Sequence, residues 1–187
     1  MYAYLFLAMW LALLVYWWRM AGSDGLNELR ESGPSRLVRL LAILGALALL
    51  CLPSVPLPWF DRRFLPPGMA CVWVGLAVTA GGLLFAAWAS YHLGNNWSQA
   101  VTIKQGHELV TSGPHAIVRH PIYTGLLFGF IGMAVALGEL RGVLAVGLVF
   151  AVLWAKLRLE EKWIRGHFGE SYDAYSQRVK VLLPYLI

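Results

Sequence analysis

Seven side chains in the second half of the chain could do chemistry as a group: His107, His115, Arg119, His120, Tyr123, Lys156 and Glu160. The densest stretch is Ser112-Gly113-Pro114-His115-Ala116-Ile117-Val118-Arg119-His120-Pro121-Ile122-Tyr123-Thr124-Gly125, a polar block that runs straight into an apolar segment. Ionisable side chains are costly at the rim of a bilayer, so their presence there marks a site. Pro121 suits the first turn of a helix, whose free N–H groups and positive dipole end would face the same rim, ready for a carboxylate or other anion. Metal chemistry does not fit: His107, His115 and His120 follow no ligand periodicity, and the chain has no His-x-x-x-His or His-Glu-x-x-His pattern. A nucleotide loop does not fit either, because Gly125, Gly129 and Gly132 fall in an apolar run and not after a strand.

These residues need a scaffold, and composition defines it. The chain has 187 residues, of which 59% are hydrophobic, and its mean hydropathy is +0.61. The apolar content gathers in five runs, Tyr2–Trp18, Leu37–Leu52, Met69–Leu93, Ile122–Leu137 and Val143–Ala155. Most match the roughly 20 residues that cross a bilayer as a helix, and the last can continue through Lys156. The expected fold is an all-α integral membrane domain with five transmembrane helices, an interfacial loop and C-terminal amphipathic helices. A single domain is expected, with 1–68 as an N-terminal helical hairpin and 69–187 as the core. The first run lacks a basic segment before it and is followed by Arg19, so it reads as an anchor helix and not as a signal peptide.

With five crossings, twelve of the fifteen Lys and Arg fall on one side; only Arg62, Arg63 and Arg141 fall on the other. Positive charge gathers in the cytosol, so the N-terminus is expected outside, with the 94–120 loop and the C-terminus inside. The net charge of +5 is therefore a topology signal; scattered over membrane ends, it forms no nucleic-acid stripe. Cys51 and Cys71 lie in apolar runs as small buried hydrophobes. Asn96-Trp97-Ser98 fits a glycosylation pattern but lies on the cytosolic side.

Between the runs, Pro53, Pro56, Pro58, Pro66 and Pro67 make an extended outer connection. Leu26–Glu31 is expected to be partly helical. In Gly94–Arg119, Ala100–Ile103 and Glu108–Thr111 look extended, with Lys104-Gln105-Gly106 as a turn; the segment's apolar residues suggest a folded lid or wall at the interface. After the fifth crossing, Glu160 and Glu161 share a face with Leu153, Leu157, Ile164 and Phe168, and Gly166 and Gly169 should end the helix. The short Gly138–Gly142 turn makes the last two crossings antiparallel neighbours and brings Glu160 towards His120 and Tyr123. Gly125 and Gly129 would allow close packing there. Lys156 and Glu160, and Glu161 and Arg165, are spaced as i,i+4 ion pairs. Arg119 could merely reach lipid phosphates, and His92 and His167 read as interfacial bystanders.

Taken in order, His107-Glu108-Leu109-Val110-Thr111-Ser112-Gly113, Val118-Arg119-His120-Pro121-Ile122-Tyr123-Thr124-Gly125, Glu160-Glu161, Phe168-Gly169-Glu170-Ser171-Tyr172 and Leu183-Pro184 resemble the isoprenylcysteine carboxyl methyltransferase family, to which phospholipid methyltransferases are related. The resemblance covers about residues 92–187. It implies S-adenosyl-L-methionine held without a Rossmann domain at the cytosolic face, with S-adenosyl-L-homocysteine as product. Carried over, the cofactor residues are His107, Glu108, Leu109, Val110, His120, Pro121, Ile122, Tyr123 and Glu160, with His115 where relatives often have tyrosine. Lys156, where relatives often have arginine, is implied on the acceptor side, with Arg158 as the alternative.

Methyl transfer from a sulfonium is an in-line displacement that needs alignment and exclusion of water more than acid–base help. In this reading Glu160 pairs with the cofactor's amino group or ribose, and His120 and the helix N-terminus hold its carboxylate. The expected acceptor is an amphiphile, a prenylated small molecule or protein, entering from membrane lipid, with the carboxylate of an isoprenylcysteine-like molecule foremost and a phospholipid amine or small thiol as alternatives. Rival readings are an NADPH-dependent membrane reductase, which would be longer, and a non-enzymatic membrane protein, such as a transporter, which would show internal repeats and broken helices. A prokaryotic inner membrane is the expected setting. Oligomeric state has no signature in the sequence.

Overall fold

The computed structural model describes residues 2–20, 27–30, 33–51, 59, 61–94, 102–104 and 109–184. Among the described residues, six α-helices carry the architecture: α1 (Ala3–Met20), α2 (Gly33–Cys51), α3 (Met69–Leu93), α4 (Pro121–Leu137), α5 (Leu140–Phe168) and α6 (Glu170–Arg178). A 3-10 turn at Gly113–Ala116 leads into α4. Proline stands in the first turn of α4, where a missing N–H costs nothing.

The expectation of an all-helical chain needs one correction. Asn27–Arg30 (β1) and Thr102–Lys104 (β2) pair as an antiparallel ribbon, with Leu29 opposite Ile103 and Arg30 opposite Thr102. The helix expected around Leu26–Glu31 is therefore a strand where it is described. A helix of that length is too short to hold itself, whereas a partner strand satisfies the backbone groups along the ladder.

Helices α1, α3 and α5 are long and apolar enough to cross a membrane, and the apolar stretches Leu37–Cys51 and Pro121–Leu137 are shorter. Outward-facing leucines and aromatics, among them Leu7, Leu11 and Leu14 on α1 and Leu37, Leu40, Leu41 and Leu44 on α2, are exposed. So much apolar surface suits lipid and not water.

Close helix packing here rests on small residues. Helix α4 lies along α3 so tightly that a β-carbon on Gly82 would sit 2.6 Å from the Gly125 carbonyl, and one on Gly75 2.5 Å from that of Gly132. Thr79 Oγ1 donates to the Gly129 carbonyl across the seam (3.1 Å). In lipid, where no hydrophobic drive brings helices together, such backbone approach and interhelical hydrogen bonding hold the pair. The glycine face of α4 thus meets α3, and not α5 as its spacing had suggested. Helix α5 packs on the opposite side of α4, where Tyr123, Phe130 and Ala134 join Ala145, Val149, Leu153 and Leu157 in the core, with Ala46 and Leu50 of α2.

The turn between α4 and α5 is only Gly138-Glu139. Gly138 adopts the left-handed conformation (φ 69°) that closes α4, and its N–H donates to the Ala134 carbonyl (2.8 Å). Helix α5 then runs unbroken for 29 residues, continuing through Lys156 as expected. Gly166 stays helical, and the break comes at Gly169, whose φ of 53° is a glycine conformation.

The far rim is sealed by its own polar contacts. Phe64 N–H donates to the Gly138 carbonyl (2.9 Å) and Leu140 N–H to that of Arg62 (2.9 Å). Arg63 Nη1 lies 3.3 Å from Glu139, and the buried Arg141 donates through Nε to Glu139 Oε2 (2.7 Å), with Asp61 at 3.7 Å.

Candidate functional site

At the other end of α4 and α5 the polar residues converge. His120 caps α4, and Tyr123 follows one turn on, its ring stacked on the His120 ring at 5.4 Å between centroids. Helix α5 returns with Glu160, which accepts a short hydrogen bond from the Tyr123 hydroxyl. Glu160 Oε2 also lies 3.6 Å from His120 Nδ1, and Glu161 Oε1 lies 3.5 Å from His120 Nε2. At those lengths the contacts are ion pairs rather than good hydrogen bonds. Lys156 Nζ sits 3.6 Å from Glu160 Oε1 and 5.0 Å from the centre of the Tyr123 ring, so the expected i,i+4 pair forms and gains a cation–π partner.

Arg119 faces the protein and not lipid phosphate. Its Nε donates to Glu161 Oε1 (2.9 Å), Nη2 lies in ion-pair contact with the same oxygen (2.7 Å), and Nη1 donates to the carbonyls of Ser176 (2.9 Å) and Val179 (2.8 Å). Glu161 is buried, and the expected Glu161–Arg165 pair does not form: Arg165 turns to Asp173 (2.8 Å) because Glu161 points inward. The segment after α6 lies against the same corner. The N–H groups of Arg119 and His120 donate to the carbonyls of Lys180 (2.7 Å) and Val181 (3.0 Å), and Thr124 Oγ1 donates to that of Leu182 (2.7 Å).

His115 forms the wall beside this corner. Its ring is buried, stacks on His92 at 6.4 Å, and its carbonyl accepts from the Tyr175 hydroxyl (2.5 Å). His92 is no bystander, since it also bonds Ser112 Oγ (2.9 Å). His167 is exposed and makes an edge-on ring contact with Phe168.

The electrostatics separate the two buried imidazoles. Burial, then the neighbouring His120 and His92, pushes His115 down to about 4, so it is neutral at physiological pH. Burial also pulls His120 down, but the Glu160 and Glu161 carboxylates outweigh it and hold His120 above the ordinary histidine value. Burial pushes the Tyr172 phenol well up and that of Tyr175 up to about 12, so both stay neutral. Among the described residues, the buried side-chain polar atoms without a hydrogen-bond partner are His115 Nδ1, His120 Nε2 and Tyr172 Oη. All three lie at this rim.

The structure thus brings together His115, His120, Pro121, Tyr123, Lys156 and Glu160. Ile122 lies half-buried in the first turn of α4, and Leu109 and Val110 lie half-buried before the 3-10 turn. Arg158 is not brought in: it is exposed, and residues two apart on a helix do not share a face. His107 and Glu108 lie outside the described residues. Arg119 stood among the candidate residues from the start, and Glu161 was marked by its place beside Glu160 on the apolar face, though without a role at the site. Tyr175 was passed over as a site-building residue.

The profile of the phospholipid methyltransferase family matches residues 70–171, more than half of the chain. The chain belongs to this family. A probable protein-S-isoprenylcysteine O-methyltransferase from Oryza sativa subsp. indica is 30% identical over 117 residues, 61% of this chain and 61% of the relative. Protein-S-isoprenylcysteine O-methyltransferase B from Arabidopsis thaliana is 27% identical over 165 residues, 86% of this chain and 79% of the relative. The cobalt-zinc-cadmium resistance protein CzcN of Cupriavidus metallidurans is 28% identical over 116 residues, 61% of this chain and 52% of the relative. The chain therefore spans less than two thirds of the rice relative's length. In fold it is similar to the eukaryotic intramembrane Ras methyltransferase ICMT (isoprenylcysteine carboxyl methyltransferase), with a TM-score of 0.54 at 22% identity, covering 83% of this chain and 54% of that one. Its three long apolar helices mark the chain as a membrane protein.

Proposed function

We propose that this chain is an integral membrane methyltransferase that uses S-adenosyl-L-methionine and acts on an amphiphilic acceptor, the carboxylate of an isoprenylcysteine-like molecule. The observation that carries the reading is the corner where His120, Tyr123, Lys156 and Glu160 meet beside buried imidazole nitrogens that have no hydrogen-bond partner among the described residues. A buried polar atom left unsatisfied costs about 1–3 kcal/mol. A polar ligand at this corner would supply what His115 Nδ1 and His120 Nε2 lack.

The residues suit a ligand with an amino group, a carboxylate and hydroxyls. Glu160 accepts from an amino or ribose hydroxyl group. His120, whose protonated form the neighbouring carboxylates favour, and the free N–H groups of the first turn of α4 receive a carboxylate. Tyr123 and Lys156 fix the Glu160 carboxylate so that it meets the ligand already oriented. The chemistry supplied by bound S-adenosyl-L-methionine is methyl transfer from a sulfonium, an in-line displacement driven by alignment. Lys156 has three N–H donors, enough to keep Glu160 and still orient an acceptor carboxylate at the lipid boundary. The names of the plant relatives support that acceptor class. The five apolar helices and the charge asymmetry support five crossings, with the N-terminus outside and this corner at the cytosolic face.

Thermal unfolding of the purified protein in nanodiscs, with S-adenosyl-L-methionine, S-adenosyl-L-homocysteine or NADPH, tests the donor. Stabilisation by the first two alone is expected; stabilisation by NADPH alone overturns the reading. Incubating membranes with methyl-labelled donor tests the acceptor. Base-labile label released as methanol marks a carboxyl ester, whereas base-stable label in phospholipid overturns that acceptor.

A further inference from the structure

His120 is touched from several sides, and one of those contacts leads away from the corner just described. Glu160 faces its Nδ1; Glu161 faces its Nε2. Behind Glu161 stands Arg119, with three N–H donations in use, one to Glu161 Oε1 and two to the carbonyls of Ser176 and Val179, and with Nη2 in ion-pair contact with the same Glu161 oxygen. A guanidinium carries five N–H groups, so Arg119 has little left to offer a ligand. Glu161 is buried, with Oε1 taken by Arg119. The pair joins α5, the end of α6 and the segment that follows it, and it does so at the residue next to His120.

We infer that Arg119 and Glu161 act as a positioning pair, neither touching the donor, that fixes the orientation and protonation of His120 and ties both to the docking of α6 and the segment after it. This rests on the reading of the corner as the donor site. The groups that face His120 are Glu160, Glu161 and, through Glu160, Lys156 from α5; Tyr123 from its own helix; and His115 from the 3-10 turn. Tyr172 of α6 stands beyond Glu161. Within that set Glu161 alone connects His120 to Arg119, so the two members of the pair act on the imidazole with opposite sign. Removing the Glu161 charge withdraws a stabiliser of the imidazolium. Removing the Arg119 charge leaves Glu161 less compensated and strengthens it.

The test is the titration of the His120 ring, followed by NMR on ring-labelled histidine in nanodiscs without donor and assigned with His120→Asn. Glu161→Gln should lower the His120 midpoint by about one pH unit, and Arg119→Gln should raise it. Donor affinity in Glu161→Gln should fall about tenfold, and its pH profile should move down with the midpoint. A purely structural pair would lower thermal stability in both variants without opposite shifts. Unchanged midpoints in folded variants, or shifts in one direction, overturn the inference. If Arg119→Gln does not fold, Glu161→Gln decides alone. Because the titration needs no donor, it stands even if the wild type binds none, an outcome that would count against the function and not against the pair.

Discussion

The two rims of the helical bundle are built from the same kinds of side chain and differ in how completely those side chains are used. At the α4–α5 turn, Arg141 is buried on Glu139, with Asp61 and Arg63 completing the ring, and the loop backbone bonds to Gly138 and Leu140. None of the described residues there leaves a buried side-chain polar atom without a partner. At the opposite rim, His120, Glu160, Glu161, Arg119 and Lys156 form a denser charged cluster, and the unpaired atoms fall beside it. A sealed network holds a turn together; an incomplete one has capacity for something else. Charge at a membrane rim therefore does not by itself distinguish a clasp from a site, whereas unsatisfied buried polarity does.

Four experiments bear on this contrast, taken from the greatest effect downward. The glycine seam joins the two rims, so a lesion in it should damage both. In Gly132→Leu the new side chain would meet Thr79 Oγ1 and the Gly75 carbonyl, and thermal unfolding should register a loss of about 3 kcal/mol or more together with loss of donor binding. Arg141→Met should cost about 3 kcal/mol in stability, since it removes the buried partner of Glu139 and leaves only the half-exposed Arg63 on that carboxylate, while calorimetry of the surviving folded protein finds donor affinity unchanged. Glu160→Gln should do the reverse, weakening donor binding by about 2 kcal/mol, roughly 30-fold, with little change in the unfolding temperature. If Arg141→Met lowered affinity or Glu160→Gln left it intact, the division of labour between the rims would be wrong.

The smallest effect is on the pH dependence of stability, and it belongs to one rim alone. His115, held at about 4 in the folded protein, is protonated more readily in the unfolded chain, so stability falls as pH drops from about 6.5 towards 4, by roughly 1 kcal/mol at pH 5.5. His120, held above its ordinary value, binds its proton more tightly when folded. Its contribution is complete below about pH 6.5 and is lost as pH rises through the raised value. Unfolding temperatures across pH should therefore peak between the two limbs, and His115→Phe should flatten the acid limb only.

Sequence periodicity and length located all five long helices, and Pro121 marked the start of α4. The approach of Glu160 to His120 and Tyr123 was legible because a turn as short as the expected Gly138–Gly142 makes the two helices antiparallel neighbours. What was hidden depended on partners distant in sequence. The spacing of Gly125, Gly129 and Gly132 announces a thin helix face but not that α3 fills it. Arg165 had Glu161 within one turn and chose Asp173, because Glu161 was already committed to Arg119 across 42 positions of chain. The ribbon of β1 and β2 joins segments more than seventy residues apart, which local propensity does not reveal.

The turn at Gly138-Glu139 and the unbroken run of α5 have a further consequence, in the arithmetic of helical phase. Glu160 lies twenty residues beyond Leu140 on one continuous helix, about 30 Å and between five and six turns from the anchored end. Its bearing towards His120 is set by counting residues from that end. One residue inserted anywhere along the helix before Lys156, even on a lipid face that tolerates any apolar side chain, would turn Glu160 by about 100° and carry it away from the corner. The register of the whole span is part of the site.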